Sequence, residues 1–226
     1  MHSIVSIVLA LSLLLAQPQT PKGYIALTFD DGPSGQITRR LLQGLEERQV
    51  QATFFLCCYR MDQYPQVLTE IVEGGHEIGL HSCAHKYMNR MTASEIQADL
   101  EGCMETLEEY TGLTAKLFRP PGGLYNEALL EEAKKAGLAL ILWSVDPNDW
   151  DPNNQRHVAL YLQTHTGAGD IVLLHDLYPS SVDAALRLID CLQAQGYRFC
   201  TVSQLAEHGG ATLEPGKVYR KFSEAG

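Results

Sequence analysis

GYIALTFDDGP occupies residues 23–33. A β-rich, mostly apolar run ends there on two adjacent carboxylates, Asp30 and Asp31, followed by Gly-Pro. A strand that is apolar on both faces is the mark of a parallel sheet covered by helices. Two like charges side by side at its end cost energy unless a cation or a reaction uses them. On its own, Asp-Asp-Gly is also a common turn signal.

The same rhythm continues outward. Further β-rich runs lie at 51–57, 76–81, 116–119, 138–145, 169–175 and 198–202. Helical patterns fill the spaces between them. Residues 36–48 carry Ile37, Leu41, Leu42 and Leu45 at helical spacing. Residues 93–111 follow Thr92, an N-cap type, with Glu95 three residues on. Residues 126–136 open at Asn126 and stop before Gly137, and 181–195 stop before Gly196. Seven strand-then-helix units predict an α/β protein with a parallel sheet, either a barrel or a doubly wound sheet.

The chain has 226 residues, 45% hydrophobic and 19% charged, enough for one folded domain. We place that domain at 21–208, with 209–226 as a tail lacking a clear element. A net charge of −10 without any Lys/Arg cluster excludes a nucleic-acid partner. Within residues 1–20 the apolar run Ile4–Ala16 is shorter than the roughly 20 residues of a spanning helix. It reads as a signal peptide or N-terminal anchor, with Ala16 as the candidate cleavage point. Against that reading, Leu14 is large for its place and no Lys or Arg precedes Lys22. The expectation is a secreted or extracytoplasmic protein whose membrane association, if any, runs through residues 4–16. The six cysteines contain no CxxC pair, which argues against a zinc knuckle. Cys191 and Cys200 are the nearest candidates for a disulfide; the alternative is that most are small core residues.

The unusual residues fall at strand ends. Asp30 and Asp31 end the first strand, His81 the third, Arg119 the fourth and His175 the sixth, and Asp146 and Asp149 follow the fifth. Sites of parallel α/β folds are built on that carboxyl edge. In HSCAH (81–85), His81 and His85 share a face if the stretch is a helical turn, with Cβ atoms about 5–6 Å apart, and can chelate one transition metal. Cys83 between them points away. The plainer reading is a surface pair flanking a turn. One aspartate added to two histidines gives a three-ligand set with room for water and substrate, and its neighbour stays free to take a proton. In FRPPGGLYN (118–126), Arg119 precedes a rigid Pro-Pro and a flexible Gly-Gly, and either holds a carboxylate or lies solvated in a loop. His175 with a nearby carboxylate is a candidate general acid.

In this order, TFDDGP (28–33), HSCAH (81–85), RPPGG (119–123), DPNDW (146–150) and LLH (173–175) resemble the five motifs of the polysaccharide deacetylases, carbohydrate esterase family four. The resemblance spans about residues 23–205. It implies a distorted, TIM-barrel-like (β/α)7 barrel. It implies Asp30 as general base, Arg119 as its orienting partner, His175 as general acid and Asp149 as the charge partner of His175. Asp31, His81 and His85 would hold one divalent metal ion, commonly zinc, with cobalt, nickel and manganese as alternatives. Trp150 and Leu173 would wall the acetyl methyl pocket, and the Gly122 N–H would meet the oxyanion. The family often carries an aromatic where Gly122 stands. That departure leaves the sugar-facing wall to another side chain, for which Tyr125 is the candidate. The implied activity is removal of N-acetyl groups from a carbohydrate polymer or oligomer of the N-acetylglucosamine type. An O-acetyl esterase on xylan and a small-molecule amide hydrolase are the alternatives. A non-catalytic sugar-binding relative is disfavoured, because no member of the set is missing.

Overall fold

β1 (Gly23–Asp30) is the spine of the sheet. β6 (Ile171–His175) lies parallel to it with His175 opposite Asp30, and β2 (Thr53–Leu56) lies parallel with Phe55 opposite Asp30. β7 (Tyr197–Cys200) pairs with its first half. Beyond β2 follow β3 (Glu77–Leu80), β4 (Leu117–Phe118), β5 (Ala139–Ile141) and β8 (Val218–Tyr219), giving the order β6-β1-β2-β3-β4-β5-β8. Just after β5 the chain returns to β6: Ser144 N donates to Ile171 O at 3.0 Å and Leu173 N to Val145 O at 2.9 Å. The two ends of the curled sheet are thereby joined into a distorted (β/α) barrel. The computed structural model describes residues 20–223, so the apolar run Ile4–Ala16 lies outside the described residues. Among the described residues no helix is long and apolar enough to cross a membrane.

Successive strand residues point to opposite faces. Ile25, Leu27 and Phe29 pack under the helices, whereas Ala26 belongs to a second apolar cluster with Phe55, Leu117 and Ile141. Both faces of β1 are thus buried, which is why its sequence reads as a near-continuous apolar run. On the second face Thr28 and Asp30 follow Ala26 in register, and this is the row that ends in the site.

The helices cover the outside. α1 (Gly35–Glu47) turns Leu41 and Leu45, both fully buried, onto the sheet, each stabilising by about 1.5–3 kcal/mol. α4 (Ala93–Thr111) opens with the anticipated capping box of Thr92 and Glu95 and ends at Gly112 in the left-handed region. α5 (Glu127–Lys135) is capped by Asn126, and α7 (Pro179–Ala194) packs beside α1. Four more helices did not stand out in the sequence: α2 (Cys58–Gln63), α3 (Pro65–Glu73), α6 (Val158–His165) and α8 (Val202–His208).

Three expectations are corrected. The fifth strand is much shorter than 138–145, because the chain leaves β5 after Ile141 to cross toward β6. The stretch from 209 onward does carry an element: β8 pairs in parallel with β5, Phe222 is buried in the second cluster, and Lys221 Nζ meets Asp170 at 2.8 Å. Cys191 and Cys200 form no disulfide; all six cysteines are free, and Cys200 is a buried core residue packed with Val202.

Candidate active site

Arg119 follows β4 and is completely buried. A guanidinium is rarely buried without partners, and this one has four hydrogen bonds. Nε donates to Ile141 O (2.9 Å), Nη2 to Leu142 O (3.1 Å), and Nη1 to Thr28 Oγ1 and Asp30 Oδ1 (2.7 Å each). Its Cζ lies 4.1 Å from the centroid of the Phe55 ring. Thr28 hands its own proton on to Val172 O at 2.7 Å, so the contact locks β1 and β6 as well. Asp30, 3% exposed, is left with Oδ2 toward the cleft, 3.7 Å from His81 Nε2.

The backbone turns sharply after Asp30. Asp31 has φ 68°, which aims its carboxylate at the HSCAH loop. That loop is not the helical turn on which the sequence reading was conditioned. It is irregular, with Ser82 at φ 66° and His85 at φ 52°, and these left-handed residues bring the rings to 5.2 Å between centroids. Asp31 Oδ1 lies 3.3 Å from His81 Nε2 and 3.2 Å from His85 Nε2. Cys83 turns away, as expected, toward Cys58 and Cys103.

The chemistry of these three groups fits a metal ion. His81 Nδ1 meets Arg119 O at 2.7 Å; a carbonyl only accepts, so Nδ1 carries the proton and Nε2 presents a lone pair. Burial pushes the His85 pKa down against the pull of Asp31, which favours the uncharged ring. Asp31 Oδ1 is buried and accepts no hydrogen bond. One ligand atom from each of Asp31, His81 and His85 thus lies within 4.8 Å of the others, an arrangement a divalent cation satisfies.

His175 closes the opposite side. Its Nδ1 lies 2.7 Å from Asp149 Oδ1, and Asp149 Oδ2 accepts from its backbone N–H at 2.9 Å. Asp149 is fully buried, so the imidazole is fixed with Nε2 toward the cleft, 4.0 Å from Asp31 Oδ2. Burial lowers the His175 pKa, but the Asp149 hydrogen bond and charge, with Asp30 and Asp31 behind them, raise it overall to about 9. Asp31, His81 and His85 lie on one side of a cleft of about 430 Å³, which Gly122, Trp150, Leu173 and His175 also line.

Tyr125 does not take the place offered to it: it is 38% exposed and outside the lining of this cleft. Tyr87 and Trp143 line it instead, with Asp146 and Asn148. Gly122 has φ 65°, and a Cβ there would lie 3.0 Å from Tyr87 Cε1; a Cβ on Gly123 (φ 68°) would lie 2.8 Å from the Trp143 ring. The two glycines thus admit two aromatic rings from elsewhere in the chain. No local signal marked Tyr87, which sits 35 residues before Gly122 in a loop. Its ring is 47% exposed and faces the cleft. Tyr87→Ala should raise KM for a sugar oligomer by roughly two- to tenfold, the worth of about 0.5–1.5 kcal/mol of aromatic contact, with kcat little changed. An unaltered KM would remove Tyr87 from the substrate wall.

A (β/α) barrel with two adjacent aspartates, two histidines and a buried Arg–Asp pair at its carboxyl edge has the build of the barrel-fold carbohydrate deacetylases and esterases. The profile of the family described as "Polysaccharide deacetylase" matches residues 17–141, and the chain belongs to that family. The chain is 37% identical over 183 residues to the peptidoglycan-N-acetylmuramic acid deacetylase PdaC of Bacillus subtilis, covering 81% of this chain and 38% of that protein. It is 34% identical over 212 residues to a peptidoglycan-N-acetylglucosamine deacetylase of Bacillus cereus, covering 87% of this chain and 99% of the relative. Among solved structures, a family 4 acetyl xylan esterase from Clostridium thermocellum, in complex with a cobalt ion, superposes with a TM-score of 0.82 at 30% identity, over 88% of this chain and 98% of that one.

Proposed function

We propose that the chain is a metal-dependent N-deacetylase acting on an N-acetylglucosamine-type polymer: peptidoglycan, a chitin-like oligomer or a surface polysaccharide. The observation that carries this reading is the unpartnered Asp31 Oδ1 facing two imidazole nitrogens, flanked by the Asp30–Arg119 and Asp149–His175 pairs. The peptidoglycan substrate follows the two Bacillus relatives. The N-terminal apolar run, read as an export signal or anchor, suits work on a polymer outside the cytoplasm.

In this proposal Asp31, His81 and His85 hold the ion, zinc first among the candidates. When bound, it supplies Lewis-acid polarisation of the acyl carbonyl and acidification of water. Asp30 takes the proton of the attacking water on Oδ2, because Arg119 engages Oδ1. The Gly122 N–H donates to the developing oxyanion. Trp150 and Leu173 wall the methyl group. His175 gives a proton from Nε2 to the departing amine, which is a poor leaving group until protonated.

His175 is in the donating form below its pKa and loses it above. Activity should therefore fall on the alkaline side near pH 9. Asp149→Asn removes the anion that favours imidazolium, so the alkaline limb of kcat/KM should move to lower pH. A limb that stays put in Asp149→Asn would show that another group governs it.

Acetate release from N-acetylglucosamine oligomers, by metal-stripped protein with and without zinc, tests the function. Zinc-dependent release supports it; absence of release with the metal bound overturns the N-deacetylase reading. The likeness to the acetyl xylan esterase favours one second reading, O-deacetylation of xylan, and acetylated xylan in the same assay distinguishes the two.

A further inference from the structure

Cys58 opens α2, Cys83 lies between the two histidines, and Cys103 lies in α4. They come from separate parts of the chain, 25 and 20 residues apart, yet their sulfurs converge. Cys58 Sγ is 2.9 Å from both Cys83 Sγ and Cys103 Sγ, and the last two are 3.4 Å apart. Cys58 and Cys103 are buried and Cys83 partly so. Asp99, one turn before Cys103, closes the group: its Oδ1 accepts from Cys83 N–H at 2.9 Å and lies 3.9 Å from Cys103 Sγ.

We propose that Cys58, Cys83 and Cys103 form a thiolate site for a soft metal ion, zinc or copper(I), separate from the Asp31–His81–His85 set. A disulfide would use two of the sulfurs and strand the third, whereas a metal uses all three. Thiolate–zinc bonds of about 2.3 Å would set three sulfurs around one ion somewhat under 4 Å apart, so the side chains need to spread by only about an ångström. Copper(I) is satisfied by soft thiolates alone; zinc prefers a fourth ligand, and Asp99 Oδ1, 3.9 Å from Cys103 Sγ, is a carboxylate oxygen beside the group. Each ligating thiol releases its proton to solvent, and no electron transfer is involved.

The site would act as a clamp. Cys58 N–H donates to Ser82 O at 3.4 Å and Tyr59 N–H to Cys83 O at 3.3 Å, so α2 already rests on the loop that carries His81 and His85. Joining α2, α4 and this loop through one ion would hold the strained backbone at Ser82 and His85 in place. This binding site does not depend on the deacetylase reading.

The test titrates reduced, metal-free protein with Zn²⁺ and, in a separate anaerobic arm, with Cu⁺. Bound metal is read by elemental analysis, and thiol protection by alkylation and mass spectrometry. Wild type should bind two equivalents of zinc, and the double variant Cys58→Ser/Cys103→Ser one. Asp31→Ala should also fall to one while all three thiols stay protected by the metal. Cu⁺ is then added anaerobically to the zinc-loaded protein: copper protecting these thiols after displacing zinc would identify copper as the ion, and zinc retained would identify zinc. The proposal fails if neither metal protects Cys58, Cys83 and Cys103 in wild type, or if the double variant binds as much metal as wild type. It fails equally if the unreduced protein is two hydrogens lighter with two of these cysteines oxidised. Should the double variant not fold, metal-dependent protection of Cys58, Cys83 and Cys103 in wild type decides alone.

Discussion

Asp30→Asn is expected to keep the proposed catalytic-site metal and lose about 10²–10⁴-fold in kcat, the usual worth of a positioned general base. Asp31→Ala is expected to lose that metal and activity together. The two residues are neighbours in sequence and similar in size, so the contrast isolates chemistry from position. Asp30 is tied through Oδ1 to Arg119 Nη1 at 2.7 Å, and an asparagine keeps an acceptor for that bond. Its amide cannot take a proton from water at the place of Oδ2. Asp31 has no such tie; its Oδ1 faces only the two imidazole nitrogens. Metal content by elemental analysis and acetate release on the same preparations read both effects. Near-wild-type turnover in Asp30→Asn would end its assignment as the base. Metal retained in Asp31→Ala would break the three-ligand set.

The barrel was legible because its strands are buried on two faces. Ile25, Leu27 and Phe29 serve one apolar cluster and Ala26 the other, and this leaves an unbroken apolar run in the sequence. β8 was not legible. Two residues show no period, and their place is set by pairing with β5 some 80 residues earlier. The proposed ligand residues were legible by type and order, but their convergence was not. His81 and His85 meet through left-handed backbone rather than a helical turn, and residue type alone does not announce such a conformation. Tyr87 and the three sulfurs were invisible for a related reason, since each contact joins distant stretches with no periodic signal.

The backbone records where this chain accepts strain. Five non-glycine residues have positive φ among the described residues, and four of them, Asp31, Ser82, His85 and Asn148, are in or beside the cleft. Such conformations persist where the surrounding structure over-determines them. Here β1, β3 and β6 supply rigid ends, and the buried Arg119 network ties the strand ends together. Strain at the rim and rigidity beneath it belong to one design, in which loops aim the side chains and the barrel holds the loops.

That division predicts the largest stability effect. Arg119→Met should destabilise the protein by about 3–5 kcal/mol, because it strips the partner from the buried Asp30 carboxylate. The same change leaves the carbonyls of Ile141 and Leu142 without a donor, at a further cost in a site closed to water. Removing both members of the pair should be milder: Arg119→Met with Asp30→Asn replaces an ion pair by groups that need no counter-charge, and part of the lost stability should return. Activity should not return, since the proposed proton acceptor is gone. Denaturant unfolding of the two single variants and the double variant, read as a mutant cycle, gives the coupling directly. A coupling well above 1 kcal/mol makes Arg119 the positioning residue of Asp30. A coupling near zero, with the single variant still strongly destabilised, would assign its worth to the carbonyls it joins and leave Asp30 held by the barrel alone.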